Sequence, residues 1–324
     1  MNEKNLFIGI DTSCYTTSAA CVSAGGILTE KRQLLSVGQG ERGLRQSDAV
    51  FQHIKNAEHL LPELLSKIDT ERIAAVGESV CPSGRADSYM PVFLVGKLLA
   101  KTLATALNVP VYGFTHQQGH IRAALFGNEE LMGKRFMAFH LSGGTRELLS
   151  VDEELNIEKI GGTTDINAGQ LVDRLGVKMR LPFPAGKALE SLAENGNKNN
   201  IPVLPACVRG LECSFSGVET KAEHIIDEGC AGADMAAAVY DCIARTLAKL
   251  ILNAREERGN DTFLLAGGVA SSARLRRLLS ERLKNKNIHI CFAAPELSSD
   301  NAVGAALLCM DKAGKMTNAA ENCK

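Results

Sequence analysis

Two histidines four residues apart, His116 and His120, stand where a helix is about to begin. The preceding run Val109-Pro110-Val111-Tyr112-Gly113-Phe114 reads as a short apolar strand, and Thr115 can cap the helix with Gln118 completing a capping box. Residues i and i+4 share a helix face, so both imidazoles can point at one ion. A pair of partly buried, hydrogen-bonded histidines is the competing reading. A zinc-protease helix needs a glutamate beside the first histidine, and this chain has Gln117, which cannot take a proton. Far along the chain, Asp300 precedes a helix in Ser298-Ser299-Asp300-Asn301. It can serve there as a plain N-cap, or its carboxylate can complete a His–His–Asp metal set with open coordination positions.

Phosphate chemistry would come from turns. Leu6-Phe7-Ile8-Gly9-Ile10 leads through Asp11-Thr12-Ser13 into a second strand over 18–23. Phe136-Met137-Ala138-Phe139-His140-Leu141 leads through Ser142-Gly143-Gly144-Thr145 into one over 148–151. Such hairpins offer N–H groups and hydroxyls to phosphate. Two of them suggest a duplicated α/β domain with a nucleotide in the cleft between the copies; either alone is as well read as an ordinary hairpin. Leu264-Leu265-Ala266-Gly267-Gly268-Val269-Ala270-Ser271-Ser272 leaves a strand through two glycines and enters a helix. That is either a close backbone approach to a ligand or a tight turn with a serine cap. Gly38-Gln39-Gly40-Glu41-Arg42-Gly43 matches a dinucleotide pattern on paper only, because it neither follows a strand directly nor opens a helix.

These residues must be positioned by alternating strands and helices. The periodicity predicts helices over 53–66, 92–107, 168–179, 185–195, 217–227, 231–257, 272–284 and 301–310, and further strands over 73–78, 262–266 and 288–292. The class is α/β with mixed sheets. A polar breaker over 127–135 sets the expected boundary. The first lobe is then 1–130, with the first hairpin and both histidines. The second is 131–324, with the second hairpin, the nucleotide site and Asp300. The tail after Lys312 is expected to fray.

Bulk composition narrows the function. Thirty-six basic against thirty-seven acidic residues give a net charge of −1, which argues against holding nucleic acid through a broad basic face. A nucleic-acid substrate would need a local patch or a partner protein. Ten scattered cysteines without a Cys-x-x-Cys pair suit reduced thiols. No signal-peptide pattern or membrane-length apolar run occurs, so a cytoplasmic protein without a membrane partner is expected.

Asp11-Thr12-Ser13-Cys14, His116-x-x-x-His120, Ser142-Gly143-Gly144, Gly169-x-x-x-Asp173, Phe183-Pro184-x-Gly186, Ser214-Phe215-Ser216-Gly217, Ala266-Gly267-Gly268-Val269 and Pro295-Glu296-Leu297-x-x-Asp300-Asn301 follow one another in a telling order and spacing. Over nearly its whole length the chain thereby resembles the tRNA threonylcarbamoyladenosine transferases, once called O-sialoglycoprotein endopeptidases. The resemblance implies an actin/Hsp70/sugar-kinase-like fold, two ribonuclease-H-like lobes with an interlobe nucleotide cleft. It implies that His116, His120 and Asp300 hold one divalent metal, iron or zinc. It implies that His140, Leu141, Ser142, Gly143, Gly144, Asp173, Gly186 and Ser272 hold an adenylate donor, threonylcarbamoyl-AMP, or ATP or AMP in its place. The implied acceptor is the adenine amine of tRNA adenosine 37, and the implied partners are tRNA, a dimerising paralogue and a small ATPase.

The chain also departs from the family pattern. Tyr15 and Thr16 replace two acids, Thr145 replaces a histidine, Ser272 an asparagine and Gln118 a glutamate, and Pro82-Ser83-Gly84 stands for Gly-Pro-Gly. These changes fit a divergent paralogue, and they keep two other readings in play: a non-catalytic nucleotide- and metal-binding partner, and a carbamoyltransferase with a different acceptor.

Overall fold

The computed structural model describes residues 3–13, 15–37, 44–85, 88–141 and 146–321, the side chains of 146 and 317–321 excepted. The chain forms two compact units. One is Met1–Ala123 with Asp300–Lys324, and the other is Ala124–Ser299. The sequence division at 130/131 therefore differs from the observed one. The C-terminal helix packs on the sheet of the first unit, and Asp300 belongs there, not with the second half of the chain.

In the first unit, β1 (Leu6–Asp11), β2 (Thr16–Ser23), β3 (Gly26–Leu34), β4 (Ile73–Cys81) and β5 (Val111–Thr115) form one sheet in the order β3-β2-β1-β4-β5. The first three strands run antiparallel as a meander, and β1, β4 and β5 run parallel. Helices α1 (Gln46–Leu65) and α2 (Phe93–Leu107) enclose an aliphatic core of Leu6, Ile8, Ile10, Leu60, Leu64, Ile73 and Val76. The short α3 (His116–Ala124) follows β5 directly.

The last helix of the chain, α9 (Val303–Glu321), lies on a bare patch of this sheet. Gly9 of β1 and Gly77 of β4 are register partners. A Cβ on Gly9 would come within 2.2 Å of the Ala302 carbonyl oxygen, and one on Gly77 within 2.5 Å of that of Ala305. A Cβ on Gly304 would meet the Gly119 carbonyl oxygen of α3 at 1.8 Å. Glycine is required at these positions because backbone approaches backbone. Arg122 of α3 and Asp311 of α9 close the same contact with a two-pronged ion pair, Nε to Oδ2 at 2.6 Å and Nη2 to Oδ1 at 3.3 Å.

The second unit repeats the plan. Its strands β6 (Phe136–Leu141), β7 (Arg146–Val151), β8 (Ile157–Thr163), β9 (Cys207–Arg209), β10 (Glu212–Ser214), β11 (Thr262–Ala266) and β12 (His289–Phe292) form a sheet in the order β12-β11-β6-β7-β8-β10-β9. Strands β8-β7-β6-β11-β12 reproduce β3-β2-β1-β4-β5 in order and in parallel or antiparallel sense. The duplication expected from the two hairpins is thus present sheet for sheet. Helices α4 (Ala168–Lys178), α5 (Gly186–Ala193), α6 (Ser216–Asp227), α7 (Gly232–Arg258) and α8 (Ala273–Leu283) complete the unit. Its core gathers around α7, whose alanine-rich flanks, with Met235, Val239, Ile243, Leu247 and Ile251, are buried.

Several boundaries differ from the sequence expectation. Strand β3 was not expected, because this edge strand is only half buried and carries Glu30, Lys31 and Arg32, as edges do. Strand β8 was also missed: it lies inside its sheet, between β7 and β10, but is only partly buried and carries Glu158 and Lys159 among its apolar residues. Helix α1 begins at Gln46, ahead of the expected 53, and α9 continues past Lys312 instead of fraying. Gly38 to Gly43 lie outside the described residues.

Candidate metal centre

The capping box predicted for α3 is formed. The Thr115 hydroxyl accepts from the Gln118 N–H at 3.0 Å, and the Gln118 side-chain oxygen accepts from the Thr115 N–H at 3.0 Å. Glutamine meets this need as well as glutamate does, so the departure at Gln118 leaves the helix start intact. His116 and His120 then fall one turn apart, and both are buried. Their Nε2 atoms are 2.8 Å apart. Asp300 Oδ1 lies 3.2 Å from His120 Nε2 and 3.5 Å from His116 Nε2. Asp300 does not cap α9: Asn301 does, its side-chain oxygen accepting from the Val303 N–H at 3.0 Å. The Gly304–Gly119 contact seats the start of α9 against α3, and this brings the carboxylate to the imidazoles.

Behind His116 stands Asp11, at the end of β1 and buried. Its Oδ2 is 2.8 Å from His116 Nδ1 and also accepts from the Ser79 hydroxyl. Its Oδ1 accepts from the Ser13 N–H at 2.7 Å and from the Ser13 hydroxyl. A carboxylate on Nδ1 fixes the tautomer, so Nε2 faces His120 and Asp300. Two imidazole nitrogens and one carboxylate oxygen, all within 4.8 Å of one another, match the donor set of an iron or zinc site with open positions. Sequence reasoning placed Asp11 and Ser13 in a phosphate-holding turn and missed their bond to His116. Nothing local links residues so distant in the chain; only the β1–β4–β5 order brings them together.

Electrostatics follow from this packing. Burial alone would lower the His116 pKa, but the charge of Asp11, its hydrogen bond and Asp300 hold it well above the usual 6.5. Burial and then the charge of His116 lower His120. Burial would raise Asp11 and Asp300, and the imidazoles outweigh it and hold both below 3.8. In metal-free protein the raised His116 contributes stability present below pH 6.5 and lost as pH rises through its folded value. The lowered carboxylates contribute stability present above pH 3.8 and lost as pH falls through theirs. A cation must displace the His116 proton. Its uptake near neutral pH is therefore expected to release about one proton, with affinity rising about tenfold per pH unit below the His116 pKa. Calorimetric titration in buffers of different protonation enthalpy counts that proton, and a count of zero contradicts the assignment.

Asp11→Asn keeps the shape and removes the charge behind His116. It is expected to weaken metal binding about 10–100-fold, read by competition with a chromophoric chelator; unchanged affinity would remove Asp11 from the site.

The remaining predicted residues lie in the second unit. Ser142, Gly143 and Gly144, with Thr145, are outside the described residues. His140 and Leu141 end β6, both buried, and the turn after β11 presses on them: Gly267 has φ +99°, and a Cβ there would meet the Leu141 carbonyl carbon at 2.6 Å. Asp173 Oδ1 accepts from the Ala185 N–H at 2.8 Å, just before Gly186 opens α5. Burial raises the Asp173 pKa. Ser272 caps α8, accepting from the Leu275 N–H at 3.1 Å, and donates to Glu190 Oε1 at 2.8 Å. Two residues not singled out from sequence join this group. Tyr240 of α7 donates to the Gly186 carbonyl at 3.0 Å, and Glu190 also accepts from the Arg274 N–H at 2.9 Å. An open cavity of about 490 Å³ adjoins them, lined by Lys187, Glu190, Glu194, Arg274 and Arg277. Tyr240 was hidden inside an apolar helical stripe, which gives no signal of a polar task.

A family profile described as TsaD, tRNA N6-adenosine threonylcarbamoyltransferase, matches residues 43–307. The tRNA N6-adenosine threonylcarbamoyltransferase of Thermus thermophilus is 32% identical over 306 residues, covering 93% of this chain and 90% of that protein. Among solved structures, the chain is similar to the activator of the 2-hydroxyisocaproyl-CoA dehydratase from Clostridium difficile with bound ADPNP (TM-score 0.56, 16% identity, 97% of both chains). It is also similar to a ROK family glucokinase from Streptomyces griseus in complex with glucose and AMPPNP (TM-score 0.54, 13% identity, 94% of this chain and 99% of that one). These likenesses show the fold, the actin/Hsp70/sugar-kinase type anticipated from the sequence. The profile match and the extent of the identity together place this chain in the tRNA N6-adenosine threonylcarbamoyltransferase family.

Proposed function

We propose that this protein transfers the threonylcarbamoyl group of threonylcarbamoyl-AMP to the N6 amine of adenosine 37 in tRNA. The observation that carries this reading is the meeting of His116, His120 and Asp300, with Asp11 behind His116, in a chain of this family. Those three residues would hold one divalent cation, iron or zinc. Bound there, the cation supplies Lewis acidity to the donor's oxygens and offsets the charge of the leaving phosphate. The chain's own task is positioning. Asp11, Ser13 and Ser79 fix His116, the capping box fixes the helix, and the α3–α9 contact fixes Asp300. In the reaction the N6 lone pair forms a bond to the carbamoyl carbon, the carbon–oxygen bond to phosphate breaks, AMP leaves with that electron pair, and the amine gives a proton to solvent.

The adenylate part of the donor is assigned to His140, Leu141, Ser142, Gly143, Gly144, Asp173, Gly186 and Ser272. Three observations support this. Strands β6 and β11 are parallel neighbours, and His140 and Leu141 end β6 while the chain leaving β11 reaches Ser272, at the strand ends where α/β sheets bind ligands. An open cavity of about 490 Å³, within the size range of small-molecule sites, is lined by Glu190, which accepts from the Ser272 hydroxyl, and by Arg274. Two proteins of the same fold were solved with adenine-nucleotide analogues. A chain of net charge −1 needs help to hold tRNA, which suits a dimerising paralogue and a small ATPase as cytoplasmic partners. Among the described residues no helix is long and apolar enough to cross a membrane.

The test is reconstitution with donor, unmodified tRNA and partner proteins, followed by mass spectrometry of the nucleosides. The expected product is threonylcarbamoyladenosine, lost in Asp300→Asn. Donor binding without transfer would support the non-catalytic reading, and a carbamoylated small molecule would support a different acceptor.

A further inference from the structure

A second set of metal-ligating side chains, none of them assigned to the reaction, lies in the unit Ala124–Ser299. Strand β12 is the edge strand of its sheet, and His289 and Cys291, two residues apart on it, project from one face. Glu130 comes to the same face from the 3-10 turn Glu129–Leu131. Cys291 Sγ is 3.6 Å from Glu130 Oε1 and 3.7 Å from His289 Nε2, and the three ligand atoms all lie within 4.8 Å of one another. In a tetrahedral zinc site with bonds of about 2.0–2.3 Å, neighbouring ligand atoms are about 3.3–3.8 Å apart. Both sulfur distances fall in that interval.

The turn that brings Glu130 is held in place by contacts independent of any ion. Asn128 Nδ2 donates to the Phe292 carbonyl at 3.2 Å and to the Ala124 carbonyl at 2.9 Å, tying the turn to the end of β12. The Gly127 N–H donates to Glu129 Oε1 at 2.9 Å, and Leu131 is buried beneath. Cys291 is buried, while Glu130 and His289 reach solvent, so an ion can enter from outside and keep a water.

We propose that Glu130, His289 and Cys291 form a second cation site, selective for a thiophilic divalent ion such as zinc, which clamps the 129–131 turn to edge strand β12. A thiolate, an imidazole and a carboxylate suit zinc or cobalt and disfavour magnesium and calcium. Binding replaces the Cys291 S–H bond with a metal–sulfur bond and releases that proton to solvent.

Cobalt(II) is the probe, because the His116–His120–Asp300 set has no sulfur and cannot give a thiolate-to-cobalt charge-transfer band. Full-length His116→Ala/His120→Ala protein is titrated with cobalt(II). The expected result is one equivalent of charge-transfer absorption, abolished by Cys291→Ser, weakened at least tenfold in affinity by His289→Ala, and unaffected by Cys207→Ser, which alters an exposed thiol elsewhere. Displacement by one equivalent of zinc completes the expected pattern. Absence of a stoichiometric band, or a band that survives Cys291→Ser, overturns the proposal. The serine variant is nearly isosteric, and its circular dichroism shows whether it folds.

Discussion

His116→Ala is expected to strip the first metal centre of its cation and to abolish threonylcarbamoyl transfer. The imidazole is a direct ligand in this account, so the fall in metal affinity should exceed the ~10–100-fold typical of an outer partner such as Asp11. The substitution also leaves Asp11 buried beside Ser13 and Ser79 without its imidazole. An unpaired buried carboxylate is costly, so the metal-free protein should lose stability as well. Binding and stability are therefore read separately: affinity by chelator competition, stability by denaturant unfolding. His116→Gln keeps a hydrogen-bonding side chain at this place. It should recover part of the stability and none of the activity. Full transfer by either variant would remove the metal centre from the mechanism.

Gly304→Ala is the second large effect, and it acts without touching a ligand. The added methyl would sit 1.8 Å from the Gly119 carbonyl oxygen and 2.5 Å from the carbonyl carbon behind it. A clash with backbone cannot be relieved by turning a side chain, so α9 must lift from α3. The expected cost is about 3 kcal/mol or more, the upper part of the range for overpacking. Lifting the start of α9 also withdraws Asp300 from His116 and His120. Metal affinity should fall together with stability, in contrast to an overpacked position remote from the site. Gly217→Ala, where the added methyl meets nothing within 4 Å, is the control expected to leave affinity unchanged. Equal metal affinity in Gly304→Ala and wild type would show that the α3–α9 contact does not position Asp300.

Much of this was legible in the sequence, and the unread parts share a cause. The hairpins, the Thr115–Gln118 cap and the one-turn spacing of the histidines are local, so residue types within a few positions specify them. The resemblance pointed to Asp300 as their partner, while local sequence favoured a cap, a task that Asn301 performs. What escaped was long-range. Gly9, Gly77, Gly119 and Gly304 each read as an isolated glycine, and only the packed structure shows them as one surface that seats α9. The same contact moves Asp300 into the first unit, against a boundary drawn from composition. Asp11 was assigned to phosphate because its turn is polar, although a buried carboxylate hydrogen-bonded to an imidazole serves the metal set better. Tyr240 and Glu190 were invisible because nothing in their own helices marks them as neighbours of Ser272.

Anomalous X-ray scattering from crystals of the metal-loaded protein, collected at the iron and zinc edges, tests the central claim most directly. The account predicts a peak at bonding distance, about 2.0–2.2 Å, from His116 Nε2, His120 Nε2 and an Asp300 carboxylate oxygen, with Asp11 still on His116 Nδ1. Active, metal-loaded protein with no peak among those three side chains would contradict it.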